Sequence, residues 1–328
     1  MSANLPPEYY EAEKIFRAAK TIEDKIRAIE EMIRVTPRHK GTDKILGKLR
    51  QRIKKLKEQA EKKAGPVRRG FLYGVKKEGA AQVMLVGLPN SGKSALLDTL
   101  TNAQAQVAPW PFTTRMPQPG MMTFENIQVQ MVDLPPLGDE ASASWLPNVL
   151  FGPDGYCIAV DTTDEPALAA EMIREELARW KIALRPRGDL TPPEEGWRKK
   201  HTLVVGTKVD EPGGAEGFRA LEAACGDTYH TVPCSIGDAA LLEGFRQALF
   251  EALAIMRIYT KSPGKKPDME SPFILEVGST VLDAAAAVHK DFAESLKVAR
   301  LWGSGKFDGQ QVQRDYVLQD GDILELRL

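Results

Sequence analysis

A glycine-rich segment between a strand pattern and a helix pattern is the feature that most constrains the fold. Apolar residues 83–86 lead into Gly87-Leu-Pro-Asn-Ser-Gly92-Lys93-Ser94, and a helical pattern begins immediately afterwards. Glycines in such a loop let backbone N–H groups turn inward around phosphate oxygens, and the following helix points its positive end at the same anion. The GxxxxGKS spacing in this context therefore predicts a phosphate-binding loop.

The residue types in this loop predict separate roles. Lys93 is expected to reach the terminal phosphates of a nucleotide and to belong to the catalytic set, while Ser94 is expected to hold Mg²⁺. The backbone around them would cradle the phosphates. The expected nucleotide contacts are Gly87, Pro89, Asn90, Ser91, Gly92, Lys93, Ser94 and Ala95.

Two later strand patterns end in residues that suit the same ligand. Gln128-Val-Gln-Met-Val-Asp133 ends in an aspartate, where a ligand to Mg²⁺ through water belongs. The pattern from His201 ends in Thr207-Lys208-Val-Asp210. The Asp210 carboxylate can accept two guanine N–H groups, and the aliphatic stem of Lys208 can lie on the base. Taken alone, Asp210 is better explained as a turn residue before Pro212.

A fourth strand pattern, Tyr229-His-Thr-Val-Pro-Cys234, is followed by Ser235 and Ile236, where a backbone N–H can meet guanine O6. Each motif is weak by itself. The ordered series of loop, DxxP, TKxD and CS, each after an apolar run, predicts a guanine-nucleotide domain. Alternating strand and helix patterns over residues 71–260 predict an α/β fold with a mainly parallel sheet.

Together with two flanking segments, these motifs resemble the developmentally regulated GTP-binding (DRG) branch of the Obg-type translation-factor GTPases. Thr36-Pro-Arg-His-Lys-Gly41-Thr42 precedes a basic helix, and Trp110-Pro-Phe-Thr113-Thr114 lies within the nucleotide domain. Near the end, Ser304-Gly-Lys-Phe-Asp-Gly309 and Leu318-Gln-Asp-Gly-Asp322 resemble a TGS domain, a small ubiquitin-like β-grasp module. The resemblance covers most of the chain.

The resemblance implies three domains and a partner. We expect a basic helical hairpin over 1–70, a P-loop GTPase domain with helices on both sheet faces over 71–262, a linker over 263–270 and a TGS β-grasp domain over 271–328. It also implies hydrolysis of GTP to GDP with Mg²⁺, on the ribosome or ribosomal RNA; the residues at 136 and 137 predict that this hydrolysis is slow. DRG proteins carry a further domain between the DxxG and TKxD motifs. Only 73 residues separate Asp133 from Thr207, so that insert is expected to be missing.

The charge distribution favours a polyanionic partner. The net charge is −1, yet residues 1–80 hold 21 Lys and Arg against 11 Asp and Glu. The predicted helix over 42–69 is the densest part. Because no aromatic residues interleave with its cations, we expect contact with RNA phosphates rather than base stacking, the alternative being a solvated polar face. Residues 271–328 hold 6 Lys and Arg against 9 Asp and Glu, so their charge alone does not favour RNA.

Composition indicates the cellular compartment in which the protein is expected. No apolar run approaches the ~20 residues of a membrane span, and no secretory signal is visible at the N-terminus. The three cysteines are scattered and fit a reducing cytoplasm, with Cys157 expected in the core. We therefore expect a cytoplasmic protein without a membrane partner, and its oligomeric state stays open.

Some of the residues that would support hydrolysis are present, and others are replaced. Thr114 is the expected switch residue for Mg²⁺ and the γ-phosphate, with Thr113 as the alternative; otherwise both cap a turn. Pro136 occupies the place of a glycine whose N–H reads the γ-phosphate, and proline has no N–H, so that contact is lost unless the loop shifts and Gly138 substitutes. Leu137 stands where many GTPases place a water-positioning glutamine.

Asn90 offers one compensation, because in some related GTPases an asparagine at this loop position helps to hold K⁺. The alternatives are a slow GTPase and a non-hydrolysing, guanine-nucleotide-dependent adaptor. An ATPase would require that Asp210 does not read the base. A metabolic GTP-using enzyme is disfavoured because no motif for a second substrate is present.

Overall fold

A computed structural model describes residues 6–19, 22–37, 42–63, 74–101, 117–138, 145–189 and 191–327. The chain separates into two compact units, Met1–Gly74 and Val75–Leu328. Within the described residues, no helix combines the length and the apolar character that a membrane crossing requires.

The described part of the first unit is helical. Its helices are α1 (Pro7–Ala18), α2 (Ile22–Val35) and α3 (Asp43–Lys63), which agree with the apolar spacing of the sequence. Ala12, Ile29, Met32 and Leu49 are buried at their common centre. Pro7 begins α1 at a position where its missing N–H costs nothing. The cations Lys48, Arg50, Arg52, Lys54 and Lys55 of α3 are exposed.

The second unit begins with a seven-stranded sheet in the order β2-β3-β1-β4-β6-β5, with β7 also paired to β6. Every pairing is parallel except that of β2 with β3. The elements are β1 (Ala81–Val86), α4 (Lys93–Leu100), β2 (Gln118–Phe124), β3 (Ile127–Asp133), α5 (Leu146–Leu150), β4 (Gly155–Asp161), α6 (Pro166–Arg179), β5 (Ile182–Arg185), β6 (Arg198–Thr207), α7 (Gly214–Cys225), β7 (His230–Pro233) and α8 (Ala239–Ala252). The predicted α/β class with a mainly parallel sheet is confirmed.

The inner strands of this sheet are continuous apolar runs because helices cover the sheet. All six residues of β1 are buried, and Val83, Leu85 and Met131 have almost no exposed surface. Cys157 of β4 is fully buried, as expected, and burial strongly raises the pKa of its thiol. The parallel strands therefore bring their carboxyl ends to one edge, where the motifs lie.

A second sheet has five strands in the order β11-β10-β12-β8-β9. It contains β8 (Ile255–Thr260), β9 (Asp268–Glu276), β10 (Val298–Trp302), β11 (Gln310–Val312) and β12 (Ile323–Arg327), with α9 (Val281–Val288) and α10 (Lys290–Ser295) between β9 and β10. Thr280 and Asp283 form a capping box at the start of α9.

The boundary expected between the two folds is wrong. β8 lies in the segment assigned to the GTPase domain, but it pairs with β9 and β12 of the second sheet. Met256 and Ile258 are buried in the second core beside Leu301 and Leu324. Residues 263–270, expected as a linker, form the hairpin connection and the first residues of β9. Proline and glycine suit a tight turn as well as a linker, which explains the error.

Candidate nucleotide-binding site

The loops that follow β1, β3, β4 and β6 meet at the carboxyl edge of the parallel sheet. The register places Leu85 of β1 beside both Asp133 and Cys157, and Asp161 beside Thr207. Open α/β sheets bind ligands in the crevice outside this edge. The sequence motifs that were widely separated along the chain are thus brought together by the fold.

The glycine loop after β1 contains two glycines, Gly87 and Gly92, that other residue types could not replace without a steric clash or backbone strain. A Cβ on Gly87 would lie 2.5 Å from the Ala159 carbonyl oxygen and 2.6 Å from Ser91 Oγ, so no side chain fits. Gly92 has a φ of 78° at the N-cap of α4. Asn90 also has a positive φ, 61°, a conformation that asparagine tolerates better than most residues. Pro89 and Ala95 are exposed on either side of this turn.

Lys93 folds back over the loop. Its ammonium donates to the Leu88 carbonyl at 2.8 Å, to the Gly87 carbonyl at 3.1 Å and to Ser91 Oγ at 3.1 Å. Burial lowers the pKa of Lys93 to about 8, against the opposing influence of Asp133. The loop therefore concentrates a partly desolvated cation where a phosphate would carry its charge.

Ser94 and Asp133 meet at the start of α4. The Ser94 hydroxyl donates to Asp133 Oδ2 at 2.5 Å, while Asp133 Oδ1 is buried without a hydrogen-bond partner among the described residues. Burial raises the pKa of Asp133, and the bond from Ser94 opposes that rise. A hydroxyl beside a carboxylate with an unused buried oxygen is a hard oxygen donor set that suits Mg²⁺, directly or through water.

The TKxD segment lies against the glycine loop. Thr207 Oγ1 donates to the Ser91 carbonyl at 3.0 Å and to the Val160 carbonyl at 3.1 Å, which links the loop to β6 and β4. Lys208 has a φ of 59° and its ammonium lies 2.5 Å from Asp161 Oδ2. Asp210 is exposed two residues further on.

Asp161 is a further candidate site residue that the sequence motifs do not indicate. It ends β4, and it holds the ammonium of Lys208 while Oδ1 accepts the Thr163 N–H at 2.9 Å. The available signal was the pattern from Gly155 to Asp161, an apolar run that ends in a carboxylate like that of β3.

The CS segment after β7 approaches Asp210. Burial raises the pKa of the Cys234 thiol to about 11, and the negative charge of Asp210 adds to the rise. The Cys234 N–H donates to the Gly206 carbonyl at 2.7 Å inside the sheet. The donors left to face a base are therefore those of Ser235, which is buried, and Ile236, whose side chain is exposed.

The loop after β3 packs against the glycine loop. The Leu137 N–H donates to the Gly87 carbonyl at 3.2 Å, and the Leu137 side chain is buried. Gly138 is exposed with a φ of 86°. Thr114 and Thr113, the expected switch residues, lie outside the described residues, as do residues 139–144. Their roles stay predictions.

Comparison with known proteins agrees with this arrangement. The sequence pattern of the family described as "50S ribosome-binding GTPase" matches residues 82–181. The pattern of the TGS domain matches residues 256–327, which begins at β8, as the second sheet does.

Full-length relatives extend the similarity. An uncharacterized GTP-binding protein of Methanocaldococcus jannaschii is 29% identical over 378 aligned positions, covering 93% of this chain and 92% of the relative. Developmentally-regulated GTP-binding protein 2 of Homo sapiens is 25% identical, covering 92% and 98%. Both alignments, of 378 and 362 positions, are longer than the 328 residues of this chain, so these relatives contain segments without a counterpart here.

Among solved structures, the Schizosaccharomyces pombe YchF GTPase matches with a TM-score of 0.44 and 14% identity, covering 78% of this chain and 99% of that one. The sequence comparisons carry the assignment. The chain is a GTP-binding protein with a P-loop GTPase domain and a C-terminal TGS domain, related over most of its length to the developmentally regulated GTP-binding proteins.

Proposed function

We propose that this protein binds GTP and GDP at the carboxyl edge of the parallel sheet and hydrolyses GTP slowly. The proposal rests on the meeting of two parts of the site, the Lys93–Ser94–Asp133 cluster and the Thr207–Asp210 segment. The first would cradle the phosphates and the second would read the base. The hydrogen bond from Thr207 to Ser91 joins them. In this reading Asp210 accepts the guanine N–H groups, Lys208 covers the base, and a backbone N–H of the Cys234–Ile236 segment meets O6.

The loop residues support phosphoryl transfer by position and charge. Lys93 would exchange its carbonyl partners for phosphate oxygens and stabilise the negative charge that spreads over the γ-phosphate. Ser94 and Asp133 would hold Mg²⁺, which when bound neutralises charge on the phosphates. Thr114 is the proposed switch ligand, and Asn90 the proposed contact of a K⁺ ion.

The residues after β3 explain why we propose slow turnover. Pro136 has no N–H to offer a γ-phosphate, and the apolar side chain of Leu137 is buried and does not orient water. These two residues favour a second candidate function, a nucleotide-dependent adaptor that binds without hydrolysing. The intact Lys93 and Ser94–Asp133 arrangement favours hydrolysis.

We further propose that the protein acts in the cytoplasm on the ribosome or ribosomal RNA, in translation or ribosome assembly. The cations Lys48, Arg50, Lys54 and Lys55 of α3 are exposed, and this exposure supports contact with RNA phosphates. The TGS domain is the second expected contact. Its acidic balance suits a ribosomal protein or a restricted RNA patch.

Steady-state GTP turnover in potassium buffer, with and without purified ribosomes, tests this function. We expect slow intrinsic turnover that ribosomes stimulate and that Lys93→Ala abolishes. Turnover unchanged by Lys93→Ala would overturn the site assignment. Tight guanine-nucleotide binding without turnover in either condition would establish the adaptor.

A further inference from the structure

A cluster of cations lies at the amino-terminal edge of the parallel sheet, and we propose that this cluster binds the phosphate backbone of RNA. The cluster, here called the basic edge, consists of Lys77, Arg185, Arg187, Arg198 and Lys200. Residues of the segment before β1, of β5 and of β6 contribute to it. Helix α3 belongs to the other unit of the chain.

Strand register places Arg198 and Lys200 at one end of the sheet on one face, and Arg185 at the same end on the opposite face. β5 pairs with the beginning of β6, so that Ile182, Leu184 and Arg185 lie beside Arg198, Lys200 and His201. His201 also lies beside Gly155 at the beginning of β4. Lys77 reaches the same end of the sheet, because its ammonium lies 2.8 Å from Asp154, the residue before β4.

The basic edge lies far from the nucleotide loops. β6 has ten residues, with Arg198 at one end and Thr207 at the other. At a rise of 3.2–3.4 Å per residue, the two ends are about 30 Å apart. A polyanion on the basic edge would therefore leave the carboxyl edge free for nucleotide.

Neighbouring carboxylates neutralise only part of the basic edge. Asp154 pairs with Lys77, and Asp189 pairs with Lys199 at 2.5 Å rather than with a member of the basic edge. Burial lowers the pKa of Lys200, Asp154 opposes the shift, and the like charges of Arg198, Lys77 and Arg185 add to it. The cations therefore repel one another in the free protein, and a bound polyanion relieves that repulsion.

One donor in the cluster is unused. Arg185 donates from its guanidinium to the Asp189 carbonyl at 2.9 Å, but its Nε is buried without a hydrogen-bond partner among the described residues. Arg198 stacks its guanidinium 5.9 Å from the centre of the Phe151 ring, and Arg187 is exposed. The Arg185 Nε is too buried to meet a bound RNA, so the exposed guanidinium groups of Arg187 and Arg198 are the ones that match phosphate oxygens.

RNA suits this surface better than an acidic protein does. A protein interface has an apolar centre with few charges, whereas here charged side chains predominate and Phe151 is partly covered by Arg198. Recognition of the RNA phosphate backbone uses cationic side chains and requires little apolar surface. The inference rests on the proposed RNA-directed function and adds to it a contact surface on the GTPase domain itself.

The test is binding of a fluorescently labelled 20-base-pair RNA duplex to the full-length chain, measured by anisotropy at several KCl concentrations. The variant carries Arg187→Gln, Arg198→Gln and Lys200→Gln. Each lost phosphate contact lowers the slope of log K against log salt by about 0.9, by analogy with duplex DNA, so we expect a fall of roughly 2–3 and binding that is about 10- to 100-fold weaker near 0.1 M salt.

A matched variant with Arg174→Gln, Arg219→Gln and Arg246→Gln removes the same charge from helices α6, α7 and α8. It should bind RNA nearly as well as the unmodified chain, and both variants should retain GDP binding, which reports folding. Equal losses in the two variants would mean that net charge alone governs binding and would overturn the assignment.

A third variant, with Lys48→Gln, Arg50→Gln and Lys54→Gln in α3, separates this inference from the proposed function. RNA binding that weakens in the α3 variant but not in the basic-edge variant would refute the basic edge and keep the RNA-directed function. No binding of RNA by the unmodified chain would refute both.

Discussion

Arg257 of β8 forms an ion pair with Glu125, the residue at the turn between β2 and β3. The same guanidinium binds both carboxylate oxygens of Asp320, at 2.6 and 3.1 Å, and lies 5.1 Å from the centre of the Phe250 ring of α8. The side chain is only 11% exposed. Beside it, Asn126 donates to the Tyr259 hydroxyl at 2.7 Å and to the Met269 carbonyl at 3.0 Å. Arg257 and Asn126 thus join the GTPase and TGS folds.

Replacement of Arg257 by methionine should lower the free energy of unfolding by roughly 2–3 kcal/mol, because it leaves two carboxylates near an apolar ring without their cation. Lysine should recover only part of the loss, since one ammonium does not reproduce the fork of the guanidinium. Urea unfolding monitors both variants. A loss no larger than that of Arg300→Met, an exposed position on β10, would contradict this role.

Lys93 should make stability and nucleotide binding depend on pH. Burial lowers its pKa to about 8, from about 10.4 in an unfolded chain. Between these values the unfolded state binds more protons than the folded state, so the free energy of unfolding should rise as pH increases from about 8 to 10. A bound phosphate favours the ammonium, so nucleotide affinity should fall over the same interval.

The control for Lys93 is Lys93→Met, which removes this titration. Unfolding free energies and GDP affinities of both proteins should be measured between pH 7.5 and 10, with the difference between the proteins as the result. Parallel curves would show that Lys93 does not titrate in this interval.

Asp161 should matter for affinity but not for base selectivity. Asp161→Asn removes the charge that holds the Lys208 ammonium, so GTP and GDP should both bind about 5- to 10-fold more weakly, in line with a loss of about 1 kcal/mol for a partly exposed pair. Asp210→Asn should instead relax the preference for guanine over xanthine nucleotides. Competition binding with GDP and XDP distinguishes the two variants, and a selectivity change in Asp161→Asn would contradict its indirect role.

Pro136 should limit discrimination between GTP and GDP. Pro136→Gly supplies an N–H that can reach the γ-phosphate, so the preference for GTP should increase by up to about 1.5–3 kcal/mol. Dissociation constants for GDP and a non-hydrolysable GTP analogue give this ratio. A ratio that does not move would mean that the loop after β3 keeps its N–H groups turned to other partners, as Leu137 does toward Gly87.

Local chemistry explains which parts of this structure the sequence could predict. The sequence predicts that the glycine loop, Asp133 and Thr207 lie at one edge, because each follows an apolar strand and parallel strands end together. Asp161 was missed because an aspartate at a strand end has no distinctive neighbours, and its role depends on Lys208, 47 residues away. The basic edge was missed because Lys77, Arg185 and Lys200 become neighbours only through sheet pairing.

The boundary at β8 illustrates a different limit. Ile255–Thr260 has the mostly apolar, β-branched and aromatic composition of a strand that either sheet could accept, and only tertiary packing decides between them. The buried sides of Met256 and Ile258 complement Leu301 and Leu324, which come more than 40 residues later.

The position of β8 also determines how far the two folds are independent modules. Only Leu253 and Ala254 separate α8 from β8, and β8 lies between β9 and β12 inside its sheet. A chain shortened at residue 262 would keep β8 without its neighbours and expose an apolar strand that invites aggregation. Any exchange of the TGS domain between proteins of this kind, by recombination or by protein engineering, therefore has to join the parts at residue 254, before the strand.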